Sequence, residues 1–132
     1  MQAVLTKYRT RLGLILLAYI AFISLGLPDG LLGVAWPSIR ASFSRPLDSL
    51  GMMLVASTAG YLTSSFASGR IIARLGVGKT LAFSCAATGL GMIGYTLAPA
   101  WWMMVTLAVL AGLGAGAIDA GLNTYVAAHF GE

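Results

Sequence analysis

The stretch TLAFSCAATGLGMIGYTLAPAWWMMVTLAVLAGLGAGAI, residues 80–118, runs for 39 residues without a charged side chain. As one helix it would be about 58 Å long, nearly twice the roughly 30 Å hydrocarbon core of a bilayer. It must therefore fold back. Pro99 lacks an N–H and disfavours helix at the residue before it, so the reversal belongs near Ala98, Pro99 and Ala100. Two spans follow from this stretch alone.

Two further charge-free runs extend towards the N-terminus, residues 49–69 and residues 12–39, the latter interrupted only by Asp29. The expected fold is an all-α membrane protein of four transmembrane helices, over about residues 12–38, 47–70, 79–98 and 101–128. A basic cytoplasmic stretch over 1–11 precedes them. The composition agrees, with 58% of the 132 residues hydrophobic and 9% charged. Soluble domains carry about a quarter charged residues, so a soluble domain is excluded, and the apolar content excludes disorder. The single Cys85 excludes a disulfide scaffold, and a continuous basic face for nucleic acid is missing.

The charges fix an orientation. Lys7, Arg9 and Arg11 precede the first span, and Arg70, Arg74 and Lys79 lie around the second connection on the same side. Arg40 and Arg45 share the opposite side with Asp48. The excess of cations predicts that the second connection and both termini are cytoplasmic, in a cell inner membrane. Trp36, Trp101 and Trp102 fall near the opposite boundary, the depth that amphipathic rings prefer. A cleaved signal peptide is the alternative for the N-terminus, but its apolar region would be too long and no small-x-small site follows.

Small residues recur at four-residue spacing at Gly26 and Gly30, at Gly60, Ser64 and Ser68, and at Gly112 and Gly116. In lipid this spacing lets helix backbones approach closely, in a static seam or a moving one. The run Ala73 to Thr80 satisfies a relaxed P-loop pattern. A P-loop requires a preceding strand and a second acidic site for Mg²⁺, whereas here a membrane span precedes and no acid lies between Asp48 and Asp119. No constellation for an enzyme, a metal or another cofactor is present. Cys85 reads as a packing residue and His129 as interfacial.

Residues 69–79 read best as a tight cytoplasmic turn. Gly76 and Gly78 permit positive φ, while Arg74 and Lys79 are placed to meet exposed carbonyls and anionic lipid heads. This turn resembles the signature Gly-x-Leu-Ala-Asp-Arg-x-Gly-Arg-Arg/Lys-Lys of the major facilitator superfamily, in the same position between second and third helices. Gly69, Arg74, Gly76 and Lys79 match. Ala73 replaces the acid that helps latch the two halves of such transporters, and Ala108 stands where the family's fourth helix often carries Arg. Asp119 followed by Asn123 and the Tyr125-Val126 pair is similar to the fourth helix of the fucose permease-like branch, in which the acid contributes to sugar binding.

Asp29 and Asp119 are the two intramembrane acids, each costing roughly 2.5–3.5 kcal/mol at the bilayer centre on insertion scales. They are therefore candidates for solute binding or proton exchange, with Asn123 and Tyr61, and Ser57, Thr58, Ser64 and Ser65 as a further polar wall. Pro28, Asp29 and Gly30 are expected to open the first span locally, as in the discontinuous helices of transporters. Asp29 lies about 25 Å from Leu12 on one side, and Asp119 about 24 Å from Met103 on the other, which predicts different heights rather than one dyad. The resemblance implies a secondary transporter of a small, sugar-like solute, by symport with protons. It implies either the first four helices of a larger transporter or a homo-oligomer. Alternatives are a homodimeric four-helix exporter similar in size to the small multidrug resistance proteins, with Asp29 exchanging the proton, and a non-transporting remnant or accessory membrane subunit.

Overall fold

The computed structural model describes the backbone of residues 1–130, and every side chain among them except those of 2–4, 6, 10, 14, 17, 18, 21, 24 and 130. Glu132 lies outside the described residues. The described chain is four helices, α1 (Gln2–Ser42), α2 (Ser49–Leu75), α3 (Val77–Leu97) and α4 (Trp101–Phe130), with no strand among the described residues. The all-α expectation holds. Among the described residues, α2, α3 and α4 are long and apolar enough to cross a membrane.

Each chain reversal has a local cause. Between α3 and α4, Ala98 adopts an extended conformation (φ −67°, ψ 115°), as the residue before Pro99 prefers. Between α2 and α3 the reversal is made by Gly76 alone (φ 82°, ψ 161°), whose N–H donates to the Ile72 carbonyl at 2.8 Å. That conformation is close to glycine-only. Gly78 is not needed for the turn: it lies in the first turn of α3, without a positive φ. Residues 43–48 link α1 to α2, with Ser44 at φ 51°.

The first helix departs from expectation. It is one continuous helix of 41 residues with Pro28 and Pro37 inside it, so the expected opening at Pro28, Asp29 and Gly30 is not found. Each proline deletes a single backbone bond, and the turns on either side keep theirs. At about 1.5 Å per residue α1 is about 61 Å long, and the basic stretch at its start is part of the same helix.

Helix α4 is the centre of the bundle. It packs along α2 on one side and α3 on the other, while α1 meets it over a short length. Glycine makes the close contacts possible. A methyl group on Gly112 would run into the backbone of Ser57, one on Gly60 into that of Val109, and one on Gly116 into the Tyr61 carbonyl. Across the α3 seam, Gly114 meets Thr88 and the Ser84 carbonyl, and Gly91 meets Ala111. Lipid tails are as apolar as leucine, so this close van der Waals fit takes the place of a hydrophobic driving force. Gly26 and Gly30 share the same spacing and have open space around them. They form no seam in this chain.

At the end that carries the α1–α2 and α3–α4 connections, the core closes into a plug of Trp36, Met53, Met104 and Ala108, all 4% exposed or less. Trp101 meets Trp36 and Phe43 edge-on at 6.1 Å, and the Arg45 guanidinium lies 5.3 Å from the Trp101 ring centre. Trp36 is thus a core residue, while Trp102 is exposed, as a headgroup-depth ring would be. Ala108 fills the position where the family often has Arg, and at 1% exposure against this plug it leaves no room for one. Cys85 is exposed on α3 and does no core packing.

Candidate functional site

The α1 residues between Leu5 and Ile23 that can be described are largely exposed, while Trp36 is buried in the plug. Helix α1 is therefore anchored at one end and leaves a cleft along the α2/α4/α3 layer. The cleft contains a cavity of about 420 Å³, within the roughly 300–1,000 Å³ range of small-molecule sites. Four helix faces line it: Phe22, Leu25, Gly26, Asp29 and Leu32 with Pro28 on α1, and Leu54, Ser57, Thr58 and Tyr61 on α2. Thr88, Met92 and Tyr95 come from α3, and Ala111, Gly112, Ala115, Ile118 and Asp119 from α4. The spacing on each helix is that of one helical face.

The polar centre lies where α2 meets α4. Tyr61 donates its hydroxyl to Asp119 Oδ2 at 2.6 Å, and Asn123 donates Nδ2 to Asp119 Oδ1 at 3.5 Å. The first bond joins residues 58 apart in sequence, and the glycines create it. Gly116 lies against the Tyr61 carbonyl and the Ser64 and Ser65 hydroxyls, and only a hydrogen at that position lets α2 approach far enough. Ser65 donates to the Gly116 carbonyl at 3.4 Å along the same contact. Ser64 donates to the Tyr61 carbonyl at 3.2 Å, so neither serine lines the cavity. Ser57 and Thr58 do.

Asp29 lines the same cavity nearer the plug. It is about one turn from Leu32, which packs on the plug, whereas Asp119 is 11 residues beyond Ala108 in α4, or about 16 Å. The two acids thus share one cavity at different heights. Tyr95 and Thr88 line it from α3, and sequence inspection passed over both. Their signal was present: Thr88, Met92 and Tyr95 are spaced i, i+4, i+7 on one face. It is faint because polar and apolar side chains alternate on that face.

The turn residues Gly69, Arg74, Gly76 and Lys79 are remote from this cavity, at the α2–α3 end of the bundle. Arg74 is in the last turn of α2 and Lys79 in the first of α3, both exposed. Neither bonds a helix carbonyl among the described residues. His129 lies exposed near the end of α4, its ring 4.1 Å from Tyr125.

A bundle of apolar helices around a largely apolar cavity that carries two acids, with a cationic glycine turn between α2 and α3, is accompanied by a match of residues 18–132 to the model of the Major Facilitator Superfamily. The chain belongs to the major facilitator superfamily. No curated protein and no solved structure matches it. As a member of that superfamily it is a multi-pass membrane protein of a transporter family, whose environment is the lipid bilayer and whose partner is a small solute. Asp29 and Asp119 of this superfamily chain line the cavity, and its Arg70, Arg74 and Lys79 are exposed around the α2–α3 turn.

Proposed function

We propose that this protein acts as a secondary transporter of a small hydroxylated, sugar-like solute, coupled to protons by symport. The observation that carries this is the hydrogen-bonded Tyr61–Asp119 pair on the wall of a cavity that also bears Asp29, with Asn123 donating to Asp119 from outside the lining. A carboxylate held by two donors keeps lone pairs for solute hydroxyls, and an intramembrane carboxyl is the usual proton carrier of transporters. Tyr95, Ser57 and Thr58 add hydroxyls around the same space. The apolar remainder of the lining favours the carbon face of a sugar ring over a fully charged solute.

This reading includes α1 as a fourth span, with the α2–α3 turn and both termini cytoplasmic. Its support is that six of the eight cations lie at that end. The Asp119, Asn123, Tyr125 and Val126 pattern favours the fucose permease-like branch. Further helices, or a second copy of the chain in a homo-oligomer, would cover the exposed face of α1 and enclose the solute.

The test is uptake into liposomes over a panel of neutral sugars and polyols, with and without an inward proton gradient. Wild type should accumulate at least one solute under the gradient. Asp119→Asn should abolish accumulation while leaving solute exchange measurable, because exchange needs the binding site and no net proton movement. Wild-type protein that moves no solute of the panel under either gradient polarity would sink the proposal.

A further inference from the structure

We propose that the α2–α3 reversal is a binding site for the headgroup of an anionic phospholipid, held by Arg70, Arg74 and Lys79. The inference rests on α2 and α3 crossing the bilayer and not on the transport reading, so the two stand or fall separately. Arg70 and Arg74 are one turn apart on α2, and Lys79 follows Gly76 by three residues on α3. All three are exposed, and none has an ion-pair partner among the described residues.

Among the described residues, no acid lies beside them. The sequence contains no acid between Asp48 and Asp119; Asp48 lies at the far end of α2, and Asp29 and Asp119 line the cavity. Ala73, between the two arginines, is itself exposed and apolar. Three like charges within ten residues repel one another until an external anion sits among them.

The neighbouring apolar side chains decide between a lipid and a free anion. Phe66, 87% exposed, is one turn from Arg70 towards the membrane interior, and Phe83, 67% exposed, is one turn from Lys79 in the same direction. Arg70 and Lys79 therefore each continue, at four-residue spacing, into an exposed aromatic ring on the same helix face, and Arg74 extends the α2 row one turn further. A molecule with a phosphodiester at one end and acyl chains at the other fits both parts. Inorganic phosphate fits only the first. Since α2 and α3 are apolar over the length of a bilayer, the cations end at headgroup depth.

The test measures association of spin-labelled phosphatidylglycerol and phosphatidylcholine with the full chain in phosphatidylcholine vesicles, by the motionally restricted fraction. Wild type should prefer phosphatidylglycerol severalfold at low salt, and each cation removed should lower that preference by about twofold, below the ceiling of about fivefold, or about 1 kcal/mol, per cation near the surface. Arg70→Gln/Arg74→Gln/Lys79→Gln should bring the ratio to near one, while Lys7→Gln/Arg9→Gln/Arg11→Gln retains most of it. Phe66→Ala/Phe83→Ala should weaken both lipids. An unchanged ratio in the first triple variant, or its loss only in the second, overturns the proposal. So does displacement by inorganic phosphate beyond that caused by chloride at equal ionic strength, which would mark a free-anion site. Extraction of the protein from vesicles at alkaline pH would overturn the bilayer placement itself, and the proposal with it.

Discussion

Replacing Gly112 with alanine tests the claim that backbone contact, not apolar content, holds the bundle together. The added Cβ would lie 2.8 Å from the Ser57 carbonyl carbon and 3.0 Å from its Cα, and closer still to its oxygen, where ordinary contact is 3.4–4 Å. All three atoms belong to the backbone of α2, so no side chain can rotate away. The helices must separate locally, by roughly 1 Å, and a gap of that size forfeits about a quarter to a half of each dispersion contact along the seam. Overpacking of this kind costs about 1–3 kcal/mol. Gly30→Ala adds the same methyl where nothing lies within 4 Å, and the better helix propensity of alanine should make it neutral or stabilising by up to about 1 kcal/mol. Reversible unfolding in mixed detergent micelles, followed by near-ultraviolet circular dichroism, compares the two. The reasoning fails if Gly112→Ala is as stable as wild type, or if Gly30→Ala is destabilised equally.

Other consequences are as direct. Tyr61→Phe removes the donor to Asp119 Oδ2 and should cost about 1–2 kcal/mol in the same unfolding assay; a stability equal to wild type would show that the bond contributes nothing. Gly76→Ala places a side chain at φ 82°, ψ 161° and should cost about 1–3 kcal/mol, with no such penalty for Gly78→Ala. Trp36→Ala empties the plug and should cost about 3–5 kcal/mol. In single-tryptophan variants, a water-soluble quencher should reach Trp102 and leave Trp36 nearly untouched, since the first is 68% exposed and the second 4%. Equal quenching would place Trp36 at the surface.

The helical class, the apolar spans α2, α3 and α4 and their turns were legible in the sequence because each depends on local chemistry. A charge-free run has to leave water, Pro99 cannot continue a helix, and Gly76 can adopt a backbone angle that other residues avoid. The acids Asp29 and Asp119 were legible for a related reason: a carboxyl group in an apolar run is expensive wherever the run packs. Local chemistry was misleading in α1. Pro28 and Gly30 suggested a break, but a helix loses only one bond at a proline, and the chain continues through it.

Which small residues touch, and which polar groups meet, depended on the tertiary structure. Gly112 and Gly116 form a seam while Gly26 and Gly30 face open space, although their spacing is identical. Spacing identifies a helix face, and only the neighbouring helix determines whether that face is covered. The same dependence joins Tyr61 to Asp119 across 58 residues, puts Asp29 on the same cavity, and brings Thr88 and Tyr95 to its wall. In lipid, where apolar surface gains little by meeting apolar surface, side-chain hydropathy cannot say which helices pair. Backbone fit determines the pairing, and the cavity is the space that this fit leaves between α1 and the other three helices.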